Sequence, residues 1–358
     1  MIGMRELLEE MVAKGASDLH LTAGIPPQYR VDGHVVASQF PVMTGDETKR
    51  LAYSILNEEQ KKRFERDLEL DFSFGVQGIS RFRANVFQQR GVTAMAIRQI
   101  PYEISTFEEL GLPPICRELI TKNQGLILVT GPTGSGKSTT LATMVDSINT
   151  NLRGHIITIE DPIEFVHQHK NCIINQREVN SDTHSFPDAL KYVLRQDPDV
   201  ILIGEMRDKE TIGAALTIAE TGHLALATLH TNSTYETINR IVDVFPSGQQ
   251  NQVRSQLAFS LSGVFTQQLI PRARGGGRVM AMEIMVCTPG IKAMIRDDKT
   301  HQIYGLMQAG QKYGMQTMNQ SLHQAVLNKW ITLEEALGRT SDAQELLGML
   351  GEPVGMPT

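Results

Sequence analysis

The sequence predicts an α/β chain in two parts: an N-terminal α+β domain over residues 1–98 and, from residue 113, a phosphate-binding α/β domain that ends in a helical region. Three features carry this. Alternating polar and apolar residues dominate the first hundred positions, as in half-buried antiparallel strands. Farther on, the unbroken apolar runs GLILVT, HIITIE, DVILIG and LALATL are separated by helical stretches. Runs without alternation mark strands covered on both faces, hence a parallel sheet. Finally, GPTGSGKS (131–138) stands between the first of these runs and a helix-forming stretch, and fits G-x-x-x-x-G-K-[ST].

In chain order, MRELLEEMVAK (4–14) places Met4, Leu7, Leu8 and Met11 on one helix face. GASDLHLTAGIPPQYRVDGHVV reads as strand and hairpin, turning at Pro26-Pro27 and Asp32-Gly33. Residues 44–67 read as helical, with Thr44 or Asp46 as the candidate N-cap. The stretch from Asp67 to Ile100 alternates with glycine breaks, as an antiparallel meander does. PYEISTFEELGLPP holds three prolines and no long period, so residues 99–112 are the expected linker. Residues 113–288 form the expected α/β core that carries GPTGSGKS and 289–358 a helical region, with GEPVGMPT as a flexible tail.

Composition narrows the function classes. The 358 residues carry a formal net charge of −6, so no global basic field draws in nucleic acid or anionic lipid. No apolar run reaches the roughly 20 residues that span a bilayer, and the N-terminus has acidic residues where a signal peptide is basic. A cytoplasmic protein without a transmembrane segment is expected. Cys116, Cys172 and Cys287 stand far apart with no C-x-x-C pair, which argues against a zinc ribbon and for buried, reduced thiols.

The glycine-rich loop makes the chemical statement. Gly131, Gly134 and Gly136 let the backbone curl so that N–H groups, with those of Thr133 and Ser135, point inward at a phosphate. The helix that follows adds the positive end of its dipole. Lys137 is expected to reach the β- and γ-phosphates, Ser138 to ligate Mg²⁺, and Thr139 to lie beside the α-phosphate. Hydrolysis needs more: an activated water and neutralised charge. In a parallel sheet, side chains just beyond the carboxyl ends of the strands converge on the ligand. HIITIEDPIEF ends in Glu160, Asp161 and Glu164, and DVILIGEMRD in Gly204-Glu205. Gly204 occupies the place of the usual acidic residue. That leaves Glu205, as the water's base or as an Mg²⁺ ligand through water, in rivalry with Glu164. His223 and His230 flank LALATL, where a histidine can sense the γ-phosphate or position water.

GPTGSGKSTT, ITIEDPIEF, LRQDPDVILIGEMRD and TGHLALATLHTN, in that order, resemble the Walker A, Asp box, Walker B and His box of secretion-superfamily ATPases. These are the motors of type II and type IV secretion and of type IV pili. GASDLHL and SRFRANVF resemble that family's N-terminal domain. Within the family the sequence is most similar to the pilus-retraction (twitching-motility) branch. It has no long N-terminal extension and no tetracysteine zinc module, and IKAMIRDDKTHQIYGLMQAGQKYGMQTMNQSL resembles that branch's signature segment.

The resemblance implies a PAS-like N-terminal domain, a RecA-like P-loop core and a homo-hexameric ring using ATP and Mg²⁺. It implies Glu164 as the Asp-box glutamate, Glu205 as the Walker-B-like glutamate, and His223 and His230 as the His box. Arg81, Arg83 and Arg98 fall where such motors supply arginines to nucleotide, with Arg195 and Arg207 as second candidates. It implies a membrane-embedded pilus platform protein as partner, met at the inner-membrane face, with the pilin fibre acted on indirectly. Domain rotation about the 99–112 linker would carry the stroke. A pilus-extension or type II secretion motor, a RecA-like nucleic-acid translocase and a nucleotide-gated regulatory module are the competing readings.

Overall fold

The computed structural model describes residues 2–351; of the tail expected at GEPVGMPT (351–358), all but Gly351 lies outside the described residues. The chain divides into two compact units. The first runs to Glu103 and includes Glu164–Val166, and the second holds Ile104–Ile163 and the residues from His167 onward.

The first unit opens with α1 (Met4–Ala13), whose Met4, Leu7, Leu8 and Met11 are all buried. Strands β1 (Asp18–Leu21), β2 (Gln28–Val31) and β3 (His34–Ala37) follow. The β2–β3 hairpin turns at Asp32 and Gly33, both at positive φ. Where one helix is expected over 44–67 there are two, α2 (Gly45–Ile55) and α3 (Glu58–Asp67). Thr44 caps the first by accepting from the Glu47 N–H. Asn57 ends it and caps the second, its side chain accepting from Gln60 N–H while Gln60 reaches back. This reciprocal capping box satisfies two orphan donors and makes the break.

Next come β4 (Glu69–Val76), β5 (Ser80–Gln89) and β6 (Val92–Ile100), an antiparallel meander. The six strands are ordered β3-β2-β1-β6-β5-β4. Alternation along β5 buries Phe82, Ala84 and Val86 against the helices, and leaves Arg81 and Arg83 on the other face.

The second unit begins with irregular chain, then α4 (Phe107–Leu110), which opens on a Thr106–Glu109 capping box inside the stretch expected to be linker, and α5 (Pro114–Leu119). The core alternates: β7 (Gly125–Thr130), α6 (Lys137–Asn151), β8 (His155–Glu160), β9 (Ile173–Glu178), α7 (Phe186–Val193), β10 (Val200–Ile203), α8 (Lys209–Glu220), β11 (Leu224–Leu229), α9 (Thr234–Asp243) and α10 (Ser247–Ser260). The four apolar runs become β7, β8, β10 and β11. All pair in parallel, and β7, β10 and β11 are buried at every position.

A hairpin that composition does not announce, β12 (Leu261–Pro271) and β13 (Arg278–Val286), completes the sheet β13-β12-β7-β11-β10-β8-β9. β12 runs parallel to β7 and antiparallel to β13, so the sheet is mixed at this edge. The helical region then holds α11 (Pro289–Arg296), α12 (Ile303–Gln308), α13 (Met318–Leu327), α14 (Leu333–Leu337) and α15 (Ala343–Leu350), joined by short 3₁₀ turns. Leu322, Ala325, Ile331, Ala336 and Leu346 from this region pack on Ile270, Val279 and Ala281 of the hairpin. The cysteines are free, Cys116 and Cys172 buried and Cys287 partly so.

Candidate nucleotide site

The loop joining β7 to α6 is shaped by close approach. Gly131 has φ 134°, and a Cβ there would lie 2.3 Å from the Gln267 carbonyl oxygen and 2.7 Å from Ser135 Oγ. No larger residue fits that space or that backbone. Gly136, at φ 88°, is the N-cap of α6, so the first helical N–H groups belong to Lys137 and the residues after it. Ser138 and Thr139 lie in that first turn, half-buried, while Thr133 and Gly134 are exposed at the loop's tip.

Whether this loop fits a phosphate can be judged from its polar groups. Ser135 Oγ is buried without a hydrogen-bond partner inside the cradle. An orphaned buried hydroxyl is costly, and an anion ringed by N–H groups and the helix N-terminus would satisfy it. The residues therefore fit the phosphates of a nucleotide.

Lys137 is 9% exposed, and its Nζ donates to the carbonyls of Gly131 (2.9 Å) and Pro132 (3.1 Å). The same Nζ lies 3.5 Å from Nδ1 of His230. His230 follows the carboxyl end of β11, and its Nε2 is 3.3 Å from Glu205 Oε1. Arg207 holds both carboxylate oxygens of Glu205, at 2.5 and 2.7 Å. A continuous line thus runs Lys137–His230–Glu205–Arg207 across the carboxyl ends of β7, β11 and β10. Burial alone would raise the Glu205 carboxyl, but the Arg207 hydrogen bonds and the nearby His230 outweigh it and hold the group below its ordinary range. Glu205 stays an anion, able to accept a proton or to bind a cation.

Gly204 is explained by packing. A Cβ there would sit 3.1 Å from the Ile159 carbonyl and 3.2 Å from Glu160 Cα, too close for an acidic side chain. The carboxylate is displaced one residue, to Glu205. Thr228 Oγ1 donates to the Gly204 carbonyl at 2.5 Å and Met206 N–H to the Thr228 carbonyl at 3.0 Å, which fixes the turn that presents it. Glu160 is engaged by Thr158 and Gln176. Glu164 is exposed and groups with the first unit.

Two expected site residues are not brought to the loop within one chain. His223 precedes Leu224 at the start of β11, and its carbonyl accepts from Gly125 at the start of β7. Arg195 lies exposed between α7 and β10, also on the amino-terminal edge of the strands. In a parallel sheet that edge is a full strand length from the phosphate loop, about 20 Å for six residues. His223 is instead engaged by Thr221 and the Ile218 carbonyl.

In the first unit the arginines form a lateral row. Register places Arg30 opposite Asp18, Asp18 opposite Arg98, and Arg98 opposite Arg83. Asp18 is bonded to Arg98 (2.8 Å) and lies 3.7 Å from Arg30. Arg83 and Arg98 face each other directly, an arrangement of like charges that a sheet tolerates poorly and that an anion would relieve. Arg81 stands two residues away on the same face, opposite Gly75 and Ile100.

Gln267 was not foreseen. Its buried amide donates to the Ser135 carbonyl (2.7 Å) and accepts from Thr140 Oγ1 (3.0 Å). A polar pair, Thr266-Gln267, inside an otherwise apolar strand is the signal that could have found it, because buried polar groups need partners.

A family model described as type II/IV secretion system protein matches residues 2–338. The type IV pilus retraction ATPase PilT of Pseudomonas aeruginosa is 51% identical over 331 residues, 92% of this chain and 96% of that protein. A twitching motility protein of Neisseria gonorrhoeae is 47% identical, covering 89% of this chain and 86% of that one. A crystal structure of the pilus retraction motor PilT with bound ADP superposes with a TM-score of 0.91 at 52% identity, covering 96% of this chain and 99% of that one.

Proposed function

The chain belongs to the type II/IV secretion system protein family, and from that premise we propose that it is an ATP-hydrolysing motor that powers type IV pilus retraction. The observation that carries the chemistry is the line Lys137–His230–Glu205–Arg207 built onto a phosphate loop. What favours retraction within the family is a match of 51% identity that extends over nearly the full length of both chains.

ATP is the substrate and Mg²⁺ the ion it brings. Ser138, and Glu205 through water, would hold that ion, which would supply positive charge beside the phosphates. Lys137 exchanges its loop carbonyls for phosphate oxygens, and the loop N–H groups hold the same charge. Glu205 takes the proton of the attacking water, with Glu164 the alternative base. Arg207 fixes the Glu205 carboxylate, and His230 lies between that carboxylate and Lys137. Arg81, Arg83 and Arg98, carried by the first unit's sheet, are the candidates for the arginine that such a transition state calls for. The working form in this reading is a ring of six copies, pressing on a platform protein at the inner membrane face and acting on the pilin fibre through it. No helix among the described residues is long and apolar enough to cross a membrane.

Phosphate release by the purified chain is the test. Turnover should require magnesium, stop when the ion is chelated, and be indifferent to added DNA. Absence of turnover would leave a regulatory module, and turnover that depends on DNA would make the chain a translocase.

A further inference from the structure

Resting on the ATPase reading, we propose that Gln267 is a positioning residue for the phosphate loop, through which β12 sets the loop's readiness for nucleotide. Five contacts tie this strand to the loop and the residues that flank it. Gln267 Nε2 donates to the Ser135 carbonyl at 2.7 Å, and Gln267 Oε1 accepts from Thr140 Oγ1 at 3.0 Å. The amide thus spans from the loop's inner bend to the first turn of α6 and holds the two at a fixed separation. The Gln267 carbonyl sits against Gly131, where a Cβ would come within 2.3 Å. Leu269 packs beside Gly136, 3.3 Å from the place of its Cβ. One residue earlier, the Thr266 and Thr130 hydroxyls bond across the strands at 2.7 Å.

The Gln267 side chain has no exposure to solvent, so neither half of its amide can exchange its protein partner for water. Glutamine is the residue that can donate at one end and accept at the other. Leucine would leave the Ser135 carbonyl and the Thr140 hydroxyl unpaired. Glutamate would keep the acceptor for Thr140 and set a carboxylate oxygen against the Ser135 carbonyl, beside the phosphates.

The same strand also carries the helical region. Ile270 packs with Leu322, Ile331 and Leu346, and Gln268 Nε2 donates to the Arg339 carbonyl at 3.4 Å. A shift of those helices along β12 would therefore be felt at Gln267, and nucleotide binding would be felt by the helices in return.

The experiment compares Gln267→Leu, Gln267→Glu, Thr140→Val and Thr140→Ser with the parent in three readouts. These are KM and kcat for ATP, hydrogen exchange of residues 131–138 without nucleotide, and thermal melting. Loss of one buried hydrogen bond corresponds to roughly tenfold. KM should rise about tenfold in Gln267→Leu, Gln267→Glu and Thr140→Val, with kcat within about threefold, and loop exchange should quicken by a similar factor. Thr140→Ser keeps the hydroxyl and should behave as the parent. Parental KM and parental loop exchange in the folded variants would overturn the proposal. So would a general drop in melting temperature with no selective change in the loop. The exchange measurement needs no nucleotide, so a parent that failed to turn over ATP would count against the ATPase reading and not against the role of Gln267.

Discussion

Lys137→Ala abolishes measurable ATP turnover on this account, with kcat down by at least 10²–10³-fold, the range for removing one electrostatic partner of a developing charge. Phosphate release at saturating magnesium and ATP measures it. The change removes more than a charge. Lys137 Nζ also satisfies the carbonyls of Gly131 and Pro132 and approaches His230. Alanine leaves those two carbonyls without this donor and His230 without its link to the loop. Nucleotide affinity should fall together with turnover, because an ammonium that meets the phosphates in the ground state contributes to binding as well as to the transition state. A variant that kept parental turnover would place the chemistry somewhere other than this loop.

Glu205→Gln separates binding from hydrolysis. The amide keeps the shape and one acceptor oxygen but cannot take a proton from water. Turnover should fall by roughly 10²–10⁴-fold, the contribution of a general base, while nucleotide affinity stays within a few-fold of the parent. Single-turnover hydrolysis and equilibrium binding of a fluorescent ATP analogue give the two numbers. Glu164→Gln is the internal control. Should Glu164→Gln lose turnover and Glu205→Gln retain it, the base is the Asp-box glutamate and Glu205 serves the metal ion. Because Arg207 grips both Glu205 oxygens, the amide also gives up one of those two hydrogen bonds, so affinity and kcat must be read separately.

Much of this was legible in the sequence because strong signals were local. GLILVT, HIITIE and LALATL are apolar throughout and became parallel strands buried along nearly all their length. The loop from Gly131 to Ser138 follows the carboxyl end of such a strand and reads as a phosphate cradle. His223 lies on the edge of the sheet away from the loop within one chain. It precedes LALATL, whereas the loop follows its own strand, so in a parallel sheet the two lie on opposite edges. Arg195 lies on that amino-terminal edge too.

The hairpin of β12 and β13 was missed for a different reason. α10 passes into β12 at Leu261 without a glycine or proline to mark the change, and Gln267 and Gln268 break the apolar run. Gln267 could not be assigned without knowing that β12 lies beside β7, a pairing of residues far apart in the chain. The line through Lys137, His230, Glu205 and Arg207 is also tertiary. Its members come from three segments far apart in the chain, and only the fold shows that Arg207 holds the Glu205 carboxylate.

The central claim, that this chain spends ATP to retract pili, is tested most directly in cells. A strain lacking the chromosomal copy is supplied with the parent chain or with Lys137→Ala at matched expression, and surface pili and twitching are scored. The account predicts that the deleted strain carries excess pili and does not twitch. The parent chain should restore twitching and lower pilus number, and Lys137→Ala should do neither. Bald cells on deletion would make the chain an extension motor, and full rescue by Lys137→Ala would contradict an ATP-driven stroke.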